Sequence, residues 1–130
     1  MISAIFWVAT GGALGAIGRV FCMQWLARRE SMASFYALLW VNAMGCILAG
    51  LLFGVLSAAI PWNDQYLVTF AMVGFLGSYT SVSAFGLETF LLLTQRRWFT
   101  ALSYVLASMV LCWTGFAGGW LVARAVLGAI

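Results

Sequence analysis

Histidine and lysine are both absent from this sequence, and charged residues of any kind are scarce. Without imidazole, the chain lacks a haem ligand, the ligand of most zinc sites and the usual general base. Charged residues make up 7% of the chain, whereas a soluble domain has roughly 25%. The acids are Glu30, Asp64 and Glu88. Because no acid–base pair for catalysis is visible, we expect that the protein is not an enzyme.

Cysteine is also scarce, and its spacing is uninformative. Cys22, Cys46 and Cys112 fall in three separate apolar runs without a CxxC pattern. This pattern predicts small buried apolar residues rather than a disulfide or a metal site. The net charge of +3 comes from six arginines against three acids. Since the arginines lie near the ends of apolar runs, they indicate membrane topology, and no nucleic-acid partner is expected.

Apolar residues, by contrast, are plentiful. They form 65% of the chain, and the mean hydropathy is +1.08. A membrane-crossing helix needs about 20 apolar residues. We expect no cleavable signal peptide, because the N-terminal stretch lacks a basic start. The charge-free runs predict an all-α integral membrane protein, a single domain over residues 1–130 in a lipid bilayer, with four spans at about 2–26, 35–58, 66–93 and 99–123.

The arginines are distributed unequally between the two sides of the predicted membrane. Four spans place both termini on one side, which carries only Arg124. Arg19 lies in the last third of the first span. The connections on the other side carry Arg28, Arg29, Arg96 and Arg97. Because arginine-rich loops stay in the cytoplasm, a fixed orientation would put both termini outside.

The third span contains a stretch, Gly74–Phe85, that reads like a loop. It has two glycines three residues apart, followed by four Ser or Thr side chains within six positions. Glycine loosens a helix, and Ser and Thr compete for helix backbone groups. Freed backbone at membrane depth is tolerated only where protein, water or an ion satisfies it. We therefore predict a broken helix whose break faces a polar group, most plausibly an ion.

Several polar or aromatic residues within the spans could carry function. The Asn42 carboxamide is either a link between helices or a pair of donors for a dehydrated anion. Phe85 is either a packing residue or a ring whose positive edge lines an anion path. Tyr104, Ser108 and Cys112 share one helix face. That face is either a stripe with two hydroxyl donors or a backbone-bonded serine beside an interfacial tyrosine.

Glu88 and Arg19 have two interpretations each. Glu88 is either a proton-relay carboxylate or an interfacial acid that pairs with Arg96 or Arg97, and we favour the pair. Arg19 either snorkels to the membrane surface or forms a vestibule that attracts anions.

Small residues at four-residue spacing predict close helix contacts: Gly11/Gly15, Gly12/Ala16, Gly45/Ala49, Gly50/Gly54 and Gly115/Gly119. Since four short helices bury few polar groups, we also expect an oligomer.

Four motifs follow one another along the chain. Gly11–Arg19 reads GGALGAIGR, Val41–Gly45 reads VNAMG, Gly74–Thr80 reads GFLGSYT, and Ser81–Phe85 reads SVSAF. Together they resemble the GGxxGAxxR, VNxxG, GFxGGxT and TFSTF motifs of the Fluc/CrcB family of fluoride channels, with Glu88 following as expected. Ser78 replaces a glycine of the third motif. The resemblance covers the whole chain.

The resemblance implies a passive channel that exports fluoride from a prokaryotic cytoplasm across the plasma (inner) membrane. It implies an antiparallel dimer of the dual-topology type, with the third helix broken mid-membrane and two pores. A structural sodium ion, which is not transported, would lie at the dimer centre on the backbone carbonyls of Gly77 and Thr80. Arg19 and Glu88 would be structural or vestibule residues. The pores would be lined or bordered by Asn42, Ser81, Val82, Phe85, Tyr104, Ser108 and Cys112.

Two departures from the family pattern leave alternatives open. Val82 stands where the family has the first Phe of an aromatic pair, and Cys112 where Ser is common. Together with the arginine bias, they allow a heterodimer with an oppositely oriented paralogous subunit and one degraded pore, beside a homodimer. Two other classes remain: a small proton-coupled multidrug exporter, which needs a carboxylate in the first span, and a non-transporting assembly subunit.

Overall fold

Four helices in the structure are long and apolar enough to cross a membrane. The structure is a computed structural model that describes residues 2–29, 33–59 and 65–128. The helices cover Ser3–Arg28, Ser34–Ser57, Val68–Thr94 and Trp98–Val126. This confirms the prediction of an all-helical, multi-pass membrane protein. Residues 30–32 and 60–64, which belong to the first two connections between the predicted spans, lie outside the described residues.

The first two helices are continuous. Helix α1 runs Ile2–Arg29 and helix α2 runs Ser34–Ala59. Neither contains proline, which would remove a backbone donor and kink the helix.

The third crossing is irregular. It begins with three consecutive helical segments, Gln65–Leu67, Val68–Leu76 and Gly77–Tyr79, which together we call α3. The middle segment is a π-helix, a wider winding that is rare beyond a single turn and frequent at functional sites. Thr80 (φ −82°, ψ 137°) and Ser81 (φ −134°, ψ 107°) then adopt extended backbone conformations. The last helical hydrogen bond of α3 is therefore the one from the Thr80 N–H to the Leu76 carbonyl, at 3.0 Å, within the loop-like stretch of the sequence.

Helix α4, Val82–Thr94, begins at a side-chain cap. Ser81 Oγ accepts a hydrogen bond from the Ala84 N–H at 3.2 Å. A serine in this position satisfies one of the backbone donors that a helix leaves free at its start. The interruption is thus followed by an orderly new helix rather than by a continuation of α3.

A tight turn joins α4 to helix α5, Trp98–Val126. The Arg96 N–H donates to the Leu93 carbonyl and the Arg97 N–H donates to the Leu92 carbonyl, both at 3.0 Å. This pair of bonds is the Schellman motif, in which the residue after the cap is left-handed. Arg96 occupies that position with φ 57°.

Glycines bring the helices together in two pairs. On α1, a Cβ added at Gly15 would lie 2.9 Å from the carbonyl carbon of Phe75 in α3. On α2, a Cβ added at Gly50 would lie 2.8 Å from the carbonyl carbon of Phe116, and one at Gly54 would lie 3.0 Å from the Trp120 carbonyl oxygen. Successive turns of α2 thus face successive turns of α5, so these two helices run side by side in the same direction.

A small aromatic and aliphatic cluster closes one end of the bundle. Its buried members are Phe35, Leu39, Leu92, Ala101 and Tyr104, from α2, α4 and α5. The ring of Phe85, near the start of α4, packs against this cluster. The first turns of α4 are therefore held directly against α2 and α5, which positions the interruption beside both helices.

Candidate functional site

A cavity of about 380 Å³ lies where the interruption faces α2 and α5. Six of the seven predicted pore residues line it: Asn42, Ser81, Val82, Phe85, Ser108 and Cys112. Thr80, one of the two predicted sodium ligands, also lines it, and Cys46, Met109 and Trp113 complete the wall. None of these lining residues carries a charge. The cavity is thus an uncharged site whose wall is mostly apolar and carries a few polar groups.

Asn42 connects α2 to the interruption. Its Oδ1 accepts a hydrogen bond from the Ser81 N–H at 3.1 Å, and the side chain is 9% exposed. In a continuous helix the Ser81 N–H would instead bond to the Gly77 carbonyl. Since Oδ1 is occupied in this way, the amide NH₂ contributes the free donors. Among the described residues, none accepts a hydrogen bond from Asn42 Nδ2.

Two buried hydroxyl groups beside the cavity have no hydrogen-bond partner among the described residues. Tyr104 is 3% exposed and Ser108 is 7% exposed. Within the described part of the chain, neither Tyr104 OH nor Ser108 Oγ has a hydrogen-bond partner. Leaving a buried hydroxyl unsatisfied costs about 1–3 kcal/mol. Of the two, Ser108 lines the cavity, so its hydroxyl is available to a group that enters there.

Tyr104 does not line the cavity, but its ring packs against the ring of Phe85, which does. The centroids of these two rings lie 5.3 Å apart, with an interplanar angle of 31°. Tyr104 also meets Phe35 edge-on at 5.9 Å. The ring of Phe85 is therefore held between the cavity and the aromatic cluster. Val82, one turn before it, is 84% exposed in the chain and supplies no ring.

The two predicted sodium ligands have backbone carbonyls without their usual helical partners. The amide that would bond to the Gly77 carbonyl, Ser81 N–H, donates to Asn42. The amide that would bond to the Thr80 carbonyl, Ala84 N–H, donates to Ser81 Oγ. Hard cations prefer such oxygen ligands. The residues present therefore fit a small cation bound through backbone oxygens.

Glu88 has a different partner from the predicted one. Ser34 Oγ donates to its carboxylate, and among the described residues Glu88 does not form the expected pair with Arg96 or Arg97. The physical reason is the position of Ser34, which begins α2 beside α4 and reaches the carboxylate directly. Arg97 instead lies with its guanidinium carbon 5.7 Å from the ring centroid of Phe35.

Arg19, Gly77 and Glu88 do not line the cavity. Arg19 is half-buried on α1, and Gly77 is exposed at the end of α3. The structure therefore separates the predicted site residues into a cavity group and a group outside it. Their predicted roles as vestibule residues or sodium ligands stay predictions.

Three lining residues were not predicted: Cys46, Met109 and Trp113. Cys46 follows Asn42 by four residues, so the two share one face of α2, and that spacing could have identified it. Met109 and Trp113 follow Tyr104 and Ser108 by five residues each, at the edge of the predicted stripe. Their large apolar side chains are typical of lipid-facing positions, so the sequence alone does not distinguish them as cavity residues.

Comparison with known proteins places the chain among described relatives. The family model described as "CrcB-like protein, Camphor Resistance (CrcB)" matches residues 6–120. A protein of Helicobacter acinonychis named Fluoride-specific ion channel FluC is 36% identical over 120 residues, which cover 91% of this chain and 93% of the relative. A FluC of Hahella chejuensis is 32% identical, covering 95% and 96%. FluC 1 of Halalkalibacterium halodurans is 40% identical, covering 79% and 84%.

Proposed function

The chain belongs to the CrcB family, and we propose that it is a passive, fluoride-selective ion channel that lets fluoride leave a prokaryotic cytoplasm through the plasma membrane. Relatives that are 32–40% identical over most of the chain carry the name fluoride-specific ion channel. Because these names describe ion channels, the expectation that the protein is not an enzyme is confirmed.

The observation that carries the proposal is the set of unpartnered donors at an uncharged cavity. Moving a small ion from water into a low-dielectric interior costs on the order of 20 kcal/mol before protein groups compensate. The Asn42 NH₂, the hydroxyls of Ser108 and Tyr104 and the positive edge of Phe85 can together replace part of the hydration shell of fluoride. Hydrogen bonds to a charged group contribute about 1.5–3 kcal/mol each. A set of such donors offsets part of the desolvation.

The lack of a fixed charge in the cavity suits conduction rather than storage. A buried arginine or lysine would bind fluoride tightly, whereas conduction needs an ion to leave each site quickly. Movement would be driven by the membrane potential, which is worth about 2.3 kcal/mol per charge per 100 mV. Since the cytoplasm is electrically negative, fluoride flows outward, and the physiological role is relief of fluoride toxicity.

An antiparallel dimer with a sodium ion at its centre completes the proposal. Gly77 is exposed, and Thr80 is partly exposed; their carbonyls lack helical partners. Freed backbone at membrane depth cannot face hydrocarbon. A second copy and a cation held by Gly77 and Thr80 of both chains would cover these oxygens. The cation would neutralise carbonyl dipoles and hold the subunits together without being transported.

Val82 favours a second candidate, a heteromeric channel in which one pore is degraded. The side chain lies at the cavity but offers no ring edge. In that case a paralogous subunit of opposite orientation would supply the missing aromatic group. Reconstitution of this chain alone decides between the two: a homodimer conducts fluoride, while the heteromeric form needs its sister or the Val82→Phe substitution.

The experiment is fluoride efflux from liposomes, measured with a fluoride electrode. We expect efflux from vesicles that contain the wild-type chain and a large decrease with Asn42→Ala or Phe85→Ala. Thr114→Val serves as a matched control, because the exposed Thr114 hydroxyl bonds only within α5, to Val110 and Leu111. If Asn42→Ala and Phe85→Ala both release fluoride as fast as the wild type, the assigned path is refuted.

A further inference from the structure

Cys46 and Cys112 lie at the same cavity, although nothing in their sequence spacing pairs them. Both are free thiols and both line the wall. Cys46 is on α2 and Cys112 is on α5. The sequence pattern predicts small buried apolar residues and no metal site, whereas the structure brings two nucleophilic sulfurs to the wall of one uncharged, mostly apolar cavity.

The packing of α2 against α5 places the two thiols opposite each other. Gly54 faces Trp120, and one turn earlier Gly50 faces Phe116. Cys46 and Cys112 lie one turn before Gly50 and Phe116, respectively. Because Gly50 and Gly54 let the backbones of α2 and α5 approach closely, the side chains one turn earlier are also brought close together.

The next pair of facing residues on α2 and α5 is polar. Asn42 and Ser108 lie one turn before Cys46 and Cys112, respectively, and line the same cavity. The wall formed by α2 and α5 therefore has two successive levels of side chains. The Asn42 amide and the Ser108 hydroxyl lie at one level, and the two thiols lie one helical turn further along. Any species held between the thiols lies directly beside the donors for fluoride.

Two facing sulfurs select a particular class of metal. Soft cations prefer thiolate ligands, and linear two-coordinate binding needs no further ligand. Structural zinc takes four ligands, and among the described residues no group of three or more His, Cys, Asp or Glu side chains could hold a metal ion. The cavity thus suits a two-coordinate soft cation and does not suit zinc.

We propose that Cys46 and Cys112 form a two-sulfur binding site for a soft metal cation, such as Hg²⁺, and that the bound metal closes the fluoride path. The metal site rests on the cavity geometry alone, and the closure rests on the proposed channel function. With Hg²⁺, two S–H bonds break, two S–Hg bonds form and two protons leave to solvent. The product carries no net charge, which suits a low-dielectric cavity.

Binding is tested first, without any measurement of transport. In the Cys22→Ala protein, purified in detergent, one equivalent of Hg²⁺ should protect both remaining thiols from a maleimide. Intact mass should show one mercury per single chain, with two protons lost. Zn²⁺ at the same concentration should protect neither thiol. If two mercury ions bind each chain, or if mercury links two chains, the two-sulfur site is refuted.

Closure is tested next, by fluoride efflux normalised to the untreated rate of each variant. Hg²⁺ should block the wild type and Cys22→Ala equally, and dithiothreitol should restore efflux. Cys46→Ser and Cys112→Ser should each need roughly tenfold more Hg²⁺ or more, because a second tethered ligand strengthens binding at least that much. Equal sensitivity of these variants and the wild type would refute closure. An absence of efflux before Hg²⁺ would instead refute the channel function and leave the binding result standing.

Discussion

Ser81 and Asn42 are joined by one hydrogen bond, from the Ser81 N–H to Asn42 Oδ1 at 3.1 Å. The bond replaces the helical partner that the Ser81 amide loses where α3 ends. It also fixes the carboxamide, so that its oxygen faces the interrupted backbone and its NH₂ is left for another acceptor. A single side chain thereby stabilises the interruption and supplies donors to the cavity.

Asn42→Ala should therefore reduce both stability and transport. The Ser81 amide would be left buried without an acceptor, which costs about 1–3 kcal/mol. Loss of one hydrogen bond to a charged ion, about 1.5–3 kcal/mol, should slow fluoride efflux roughly tenfold to hundredfold. Thermal unfolding in detergent and liposome efflux measure the two effects. Ser57→Ala, on the same helix, is the control because its hydroxyl bonds locally to the Gly54 carbonyl.

Tyr104→Phe and Ser108→Ala should each slow transport without reducing stability. Both native hydroxyls are buried without a partner among the described residues. Removing them should leave the free energy of unfolding unchanged or raise it by up to about 1–3 kcal/mol, since an unsatisfied polar group disappears. Fluoride efflux should nevertheless fall. A loss of stability in both variants would show that the hydroxyls serve the fold rather than the ion.

Ser81→Ala should destabilise α4 by about 1 kcal/mol, because the Ala84 N–H loses its cap. Ser81→Thr retains a hydroxyl acceptor and should recover most of that loss. Unfolding curves of the two variants, recorded side by side with the wild type, measure the difference. Equal destabilisation by Ala and Thr would mean that the hydroxyl is not the relevant group.

Much of the fold could be predicted from the sequence, because hydropathy and charge act locally. Charge-free runs of about 20 residues are long enough to cross a bilayer, and the four helices follow them closely. The loop-like composition of Gly74–Phe85 also indicated where regular backbone would be difficult to maintain. What could not be predicted is the π-helical winding of Val68–Leu76, since it depends on contacts between helices.

The candidate site illustrates the same limit at the level of side chains. Asn42, Phe85 and the stripe from Tyr104 to Cys112 could be named from their residue types, because a polar group inside a membrane span needs a partner. Their partners could not be named. The bonds from Ser81 to Asn42 and from Ser34 to Glu88 join residues far apart in sequence, and no local pattern records such pairs.

Gly15→Ala should disrupt the contact between α1 and α3. The new methyl group would lie 2.9 Å from the Phe75 carbonyl carbon and 3.1 Å from its Cα, and overpacking of this kind costs about 1–3 kcal/mol. Gly118→Ala is the matched control, since nothing lies within 4 Å of the added Cβ. The control should gain up to about 1 kcal/mol from helix propensity. Thermal unfolding should therefore separate the two variants, and a similar result for both would argue against backbone-to-backbone packing.

Fluoride and chloride efflux from liposomes that contain only this chain, measured in sodium and again with sodium replaced by a large organic cation, tests the proposed channel most directly. We expect rapid fluoride efflux in sodium, its loss when sodium is removed, and no comparable chloride efflux. Vesicles that retain fluoride in sodium, or release chloride as fast as fluoride, would contradict the proposal that this cavity conducts fluoride.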